Sequence, residues 1–364
     1  MRILAFGTYD VGRHPRVQVL VDGLRAHGHD VLELNRPLGL STADKVRALR
    51  SPLALPGFAV RMARRWASLA AGSLHLRGAA RPDAVLVGYL GHFDVLLARL
   101  LFPRTTIVLD HLIFAADTAR DRGTPDGLRT RLLALLDRAA LGAADVVVVD
   151  TAEHRALAPA GSESVVVDVG ATDAWFSAAA PQRSADEPLS VVFFGLFTPL
   201  QGTETLGRAL RLLHERGVRA RVTLVGDGQD APAVRESVAG LPGVTWHEWV
   251  APDDLPGLVA GHDVCLGVFG TTDKARRVVP NKVYQGAAAG CAVVTSDTPP
   301  QRRLLGEAAL FVPPGDAEAL AEALAGLAAD RERLTWLRER AREWSGERFT
   351  AAAVTAPLDE VLAR

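Results

Sequence analysis

Short aliphatic runs alternate with stretches of helical spacing along most of this chain. Residues 2–6 and 31–34 are the first two runs. Between them Val17, Leu20, Val21 and Leu24 share one helical face, which Gly28 ends. A long basic helical stretch follows, and residues 84–88, 106–110, 145–150 and 165–169 are four further runs. Each is apolar on both faces and separated from the next by a helical segment, which predicts a parallel sheet covered on both sides. From 170 to 188 the pattern lapses into Ala, Ser, Pro, Gln and Asp, the composition of a linker.

The alternation then restarts. Strands are predicted at 191–194, 222–226, 244–247, 264–268, 293–296 and 310–312. Helices are predicted near 203–215, 231–239, 255–260, 282–289, 301–305, 317–328 and 332–344. The fold class is α/β: two tandem doubly wound Rossmann-like domains, residues 1–180 and 187–345. Ligands of open α/β sheets bind beyond the carboxyl ends of the strands, so a site is expected in a cleft between two such domains.

Composition narrows the classes. The chain has 364 residues, 48% hydrophobic and 23% charged, which is ordinary for a globular protein and excludes a disordered or collagen-like chain. Its apolar runs fall far short of the roughly 20 residues of a membrane span, and the amino-terminal residues lack the pattern of a signal peptide. The two cysteines, Cys265 and Cys291, cannot build a disulfide framework or a cysteine zinc site, which fits a reducing cytoplasm. A net charge of -1 argues against a nucleic-acid partner. Only three of the 41 basic residues are lysine, and Lys274 and Lys282 stand close together.

Those two lysines belong to the most informative segment, 272–290. Pro280 suits a first helical position, Asn281 the capping region and Gly290 a stop. Lys274, Arg276, Arg277 and Lys282 lie in or just before the first turn, where the helix dipole repels cations and Asp273 alone offsets them. An anion such as phosphate would make sense of them; a solvated basic loop is the alternative. Gly195 and Gly202 sit in a strand-to-helix loop where backbone can approach a ligand. Gly226 and Gly228 match a G-x-G-x-x-A dinucleotide fingerprint, but after the second strand of their domain rather than the first, which argues against a dehydrogenase.

In the first domain polar residues gather after two strands: Tyr9, Arg13, His14 and Arg16 after the first, Asp110, His111 and Asp117 after that ending at 110. His111 could bond a sugar hydroxyl or be structural. Residues 45–81 hold eight basic residues and no acidic one, with Phe58, Met62, Trp66 and Leu69 on one helical face. Such a helix either lies on an anionic bilayer or packs its apolar stripe on the sheet with its arginines in water.

Together these residues resemble the GT-B glycosyltransferases, specifically the retaining family-4 group. The resemblance runs through Gly7-x-Tyr9, His14-Pro-Arg16, Asp110, Asp117-Thr118, Asp121-Arg122, Gly195-x-Phe197-x-Pro199-Leu-x-Gly202-x-Glu204, Gly226-x-Gly228 and Pro280-Asn-Lys-Val-Tyr-Gln-x-x-x-x-Gly290. It implies a UDP-, GDP- or dTDP-sugar donor held by the second domain, through Gly195, Phe197, Gly202, Gly226, Gly228, Val250, Lys274, Asn281 and Gln285. It implies His111, Arg277 and Lys282 as catalytic groups. Tyr9, Arg13, His14, Arg16, Asp110 and Asp117 would meet a glycan, lipid-linked or small-molecule acceptor. Residues 346–364 would return as a helix to the first domain.

The activity so implied is metal-independent transfer of a hexosyl or deoxysugar with retention, in the cytoplasm; peripheral membrane contact through 45–81 is one of the two readings of the basic helical stretch itself. No cofactor and no metal are expected. The family's two glutamates eight residues apart fall on Arg277 and Gln285, and its Arg and Lys of the Gly-rich loop on Leu196 and Gln201. A sugar-nucleotide epimerase and a catalytically silent sugar-nucleotide-binding partner therefore remain alternatives.

Overall fold

The computed structural model describes residues 1–12, 14–39, 55–159, 161–178 and 187–364. Arg13 and Lys45 lie outside the described residues. The chain forms two units. One comprises Met1–Arg120, Pro125–Asp168 and Thr355–Arg364, the other Asp121–Thr124 and Val169–Val354.

The first unit runs β1 (Arg2–Gly7), α1 (Arg16–Ala26), β2 (Asp30–Asn35), α2 (Leu55–Ser73), β3 (Ala84–Val87), α3 (Asp94–Leu101), β4 (Thr106–Asp110), α4 (Ala115–Asp121), α5 (Leu128–Ala143), β5 (Val146–Val149), α6 (Ala152–Arg155) and β6 (Glu163–Val166). Its strands are parallel in the order β2-β1-β3-β4-β5-β6. Alternation along β1 divides the core. Ile3 and Ala5 pack with Val17, Leu20 and Leu24 of α1, whereas Leu4 and Phe6 pack with Leu69 of α2, Val95 and Ala98 of α3 and Ala140 of α5.

The second unit runs α7 (Asp173–Phe176), β7 (Leu189–Phe194), α8 (Thr203–Glu215), β8 (Ala220–Val225), α9 (Ala231–Val238), β9 (Val244–His247), α10 (Leu255–Ala260), β10 (Val264–Leu266), α11 (Asn281–Ala288), β11 (Ala292–Ser296), α12 (Pro299–Leu305), β12 (Ala309–Val312), α13 (Ala317–Ala329) and α14 (Arg331–Arg348). Its parallel sheet has the order β12-β11-β10-β7-β8-β9. A last helix, α15 (Ala351–Leu362), starts in this unit, and its residues from Thr355 group with the first.

Two boundaries differ from the sequence pattern. The stretch expected to be linker from 170 is partly core: Ala171 and Trp175 are buried, and the Trp175 ring stacks 5.6 Å from Phe194. Apolar contacts therefore move the unit boundary to Asp168. The segment expected to form one helix over 346–364 breaks between α14 and α15, where buried Phe349 sets its ring 4.9 Å from Tyr284.

A recurring carboxylate sets strand register. Asp83, Asp145 and Asp263 each precede a strand, and each accepts a backbone N–H from the first or second residue of the neighbouring one: Arg2 at 2.7 Å, Ile107 at 2.8 Å and Ser190 at 2.9 Å. Each also donates its own N–H to a carbonyl of that strand, of Arg2, Ile107 and Ser190 in turn. All three lie at the amino ends. The chemistry of open α/β sheets belongs at the opposite ends, where the order of connection reverses. In the second sheet that reversal falls between β7 and β10.

Candidate functional site

At the carboxyl ends of β7, β8 and β10 three loops meet. Gly195 has φ +130°, and Gly202 is left-handed at φ +64° between a 3-10 turn (Pro199–Gln201) and α8. Neither glycine is replaceable. A Cβ on Gly202 would lie 2.3 Å from the Phe269 carbonyl carbon, and both conformations strain an L side chain. Gly226 and Gly228 serve a different end from the one their spacing suggests. Their Cβ positions would fall 1.9 Å from the Gly195 oxygen and 2.2 Å from the Phe197 oxygen, so both admit the neighbouring loop's backbone. Phe197 N donates to Asp227 O, and Asp230 N to Phe197 O, closing the two loops together.

Phe197, expected to touch the donor, has a fully buried ring packed on Phe193 and Trp246. Its role is to hold the loop down. Val250 is half-buried and packs against the core cluster that includes Trp175 and Phe194.

Lys282 is the centre of this arrangement. It lies in the first turn of α11, where Asn281 is the first helical residue and Pro280 the cap, the reverse of the roles the sequence suggested for the two. Its Nζ points back to the β7 loop. It donates to Gln201 Oε1 at 2.6 Å, sits 3.6 Å from the Phe193 ring centroid, and is 3.3 Å from where a Gly195 Cβ would be. The side chain is buried, which pulls the ammonium down from 10.5 to about 7. Neither contact neutralises it. Gln285, three residues on, shares its helix face and is also buried. Gly286 lets α11 come close to β10: a Cβ there would lie 2.5 Å from Cys265 Sγ. Lys274 is buried and Arg277 half-buried around the 3-10 turn Ala275–Arg277, immediately ahead of Pro280.

In the first unit Tyr9, Arg16 and Asp110, three of the six residues expected to face an acceptor, are buried. Arg16 is buried: its Nε donates to Asp110 Oδ1 at 2.9 Å, and its other nitrogens to the Asp168 and Val167 carbonyls at 2.9 and 3.0 Å. This pair ties α1 to β4 and to the chain after β6. Burial pushes the Asp110 carboxyl up, against the pull of Arg16. Tyr9 is core, with its hydroxyl 3.5 Å from Glu33 Oε2; burial and then that charge push the phenol above its ordinary range. His14 is half-buried on the Tyr89 ring at 4.1 Å, and Asp117 half-buried in the first turn of α4. Trp66 and Leu69 face inward: Trp66 packs on the core and donates Nε1 to Asp94 Oδ1 at 2.9 Å, and Leu69 is fully buried.

His111 is buried and its Nε2 has no hydrogen-bond partner. Burial, then the nearby His92, lower it to about 3, so the imidazole is neutral at ordinary pH. His92 Nε2 lies 3.0 Å from Asp137 Oδ1, and Asp137 also accepts the Ala115 and Ala116 N–H groups at the start of α4. Burial raises the Asp137 pKa, but those hydrogen bonds outweigh it and hold the carboxylate below its ordinary value. Ligand atoms of His92, His111 and Asp137 lie within 4.8 Å of one another. No metal was expected from the sequence, and residues this far apart in it give no spacing signal for such a grouping. Its Nε2–Oδ1 hydrogen bond accounts for two of the three groups without an ion.

Residues 188–330 match the family described as glycosyl transferases group 1. No curated protein matches the chain. Among solved structures, a sucrose-phosphate synthase from Thermosynechococcus elongatus superposes with a TM-score of 0.74 at 17% identity, covering 100% of this chain and 98% of that one. The HepE protein of Anabaena, in complex with UDP and glucose, gives 0.69 at 14% over 100% and 98%. An E. coli protein described as trehalose-6-phosphate, bound with UDP-2-fluoro glucose, gives 0.68 at 14% over 100% and 99%. The chain has the GT-B fold of these proteins. The segment matching the family contains the Gly195 loop, Lys274, Lys282 and Gln285.

Proposed function

We propose that this chain is a glycosyltransferase that moves a hexosyl or deoxysugar residue from a UDP-, GDP- or dTDP-sugar to an acceptor hydroxyl, with retention and without a metal, in the cytoplasm. The observation that carries the reading is Lys282: a buried cation, held by a neutral amide, at the sheet reversal within the segment that matches group 1 transferases. A glycosyl–phosphate bond breaks with negative charge gathering on the diphosphate. Lys282, with Lys274 and Arg277 preceding α11 and the uncapped first turn of that helix, is suited to receive it. Gln285 can hydrogen-bond a ribose as a neutral amide. Retention follows if the acceptor oxygen attacks from the face the diphosphate leaves, passing its proton to the departing phosphate oxygen. His111, neutral and with Nε2 open, is the first unit's candidate to meet a sugar hydroxyl.

The test is donor turnover. Nucleoside diphosphate should appear only when an acceptor is present, and NMR of the product should find the donor's anomeric configuration kept. A sugar changed without any acceptor would instead make the protein an epimerase. Tight donor binding with no turnover would make it a silent partner.

A further inference from the structure

We infer that the outer surface of α2, α3 and α5 in the first unit is a docking face for an anionic phospholipid bilayer. This goes beyond the reaction proposed above and rests on other residues. α3 packs against both α2 and α5, so the three helices form one continuous layer over the sheet. Their inner faces are core, through Leu69, Val95, Ala98 and Ala140. The outer face is unusually apolar: Leu100 and Leu128 are each 76% exposed, Leu132 56% and Leu135 53%. Leu128, Leu132 and Leu135 follow at four and three residues, one stripe of α5, and Arg131 and Arg138 stand exposed beside it. Lone exposed leucines are ordinary, but a cluster across adjacent helices marks an interaction surface.

Charge selects the occupant. The three helices hold two acidic residues, Asp94 and Asp137, and both are buried, whereas α2 adds exposed Arg61, Arg64 and Arg65. A second copy of the chain docked through this face would set arginines against arginines. An anionic headgroup layer takes the guanidinium groups, and the leucines enter the acyl boundary beneath it. The inward-turned Trp66 does not take part, so the contact differs from the Phe58–Met62–Trp66 stripe that the sequence offered.

Sedimentation with phosphatidylcholine vesicles, with and without phosphatidylglycerol, decides the matter. Binding should require phosphatidylglycerol and weaken as salt shortens the Debye length. Arg131→Glu and Arg138→Glu should each lower partitioning at least about fivefold, the worth of one basic residue at such a surface. Leu132→Glu with Leu135→Glu should reduce it further. Because these side chains are exposed, melting temperature and nucleoside diphosphate binding in solution should stay as in the parent, which separates this inference from the proposed reaction. Binding that ignores phosphatidylglycerol, or arginine variants that bind like the parent, would overturn it. So would a dimer in analytical ultracentrifugation that Leu132→Glu dissolves, because the face would then belong to a second copy.

Discussion

Each unit buries a cation near the carboxyl ends of its strands, and the two are held in opposite ways. Arg16 faces a carboxylate and two carbonyls, all within 3.0 Å. Lys282 has an amide oxygen and an aromatic face. The guanidinium is matched in charge and fork geometry and holds α1, β4 and the end of β6 in place. Neither of those partners offsets the ammonium, and burial in a site that does not solvate it pulls it down to about 7. A cation already neutralised is structural, whereas one kept desolvated beside a neutral partner is poised for an anion that comes and goes.

The sharpest break of this contrast is in stability. Arg16→Met strands Asp110 as a buried, uncompensated carboxylate and should cost about 3–5 kcal/mol in urea denaturation. Arg16→Met with Asp110→Leu should recover part of the loss but leave the Val167 and Asp168 carbonyls unmet. Lys282→Met should leave stability equal or higher. A destabilisation matching that of Arg16→Met would end the distinction.

Next in size is ligand binding. Lys282→Ala and Arg277→Ala should each weaken nucleoside diphosphate by about 1.5–3 kcal/mol, the range of a charge-assisted hydrogen bond, and leave the nucleoside almost unaffected in calorimetry. Equal losses for both ligands would mean that neither side chain meets phosphate. Gln201→Glu, which gives Lys282 the kind of partner Arg16 has, should weaken the diphosphate in the same direction.

The pH dependence has a definite sign. The folded protein holds the Lys282 proton less tightly than the unfolded chain does. The resulting penalty on folding is full below about 7 and fades as pH rises towards the ordinary 10.5. The stability advantage of Lys282→Met should shrink across that window. Diphosphate affinity should fall above about 7, with proton uptake on binding seen as a dependence of the calorimetric heat on buffer. Affinity flat from 7 to 9 would mean that the lysine stays charged throughout.

The smallest expected effect is none: turnover should survive excess chelator. Loss that added metal restores would overturn metal independence and direct attention to His92, His111 and Asp137.

The sheets and most helices were legible because short continuous apolar runs, too short for helices, alternate with longer stretches of helical spacing; the helix at Thr203–Glu215 emerged at the predicted ends, after the left-handed Gly202. The cation at Lys282 was legible too, through cations crowded where a helix dipole repels them. Sequence position could not tell which way a polar side chain turns. Tyr9, Arg16 and Asp110 stand after strands, where ligands bind, yet all three turn into the core, because partners 24 to 152 residues away meet them there. Gly226 and Gly228 have the spacing of a phosphate loop, but a glycine needed for backbone contact looks the same whether the backbone belongs to a ligand or to the next loop. The Gln201–Lys282 bond joins residues 81 apart and is invisible to any local pattern.

The aspartates at 83, 145 and 263 grip the neighbouring strand at the amino ends, away from the Gly195 and Gly202 loops. A ladder fastened at its foot tolerates rebuilding at its head. Whole loops after β4, β7 or β10 could be exchanged for those of another chain of this fold while the pairing stayed aligned, which makes this chain a natural host for grafted loops.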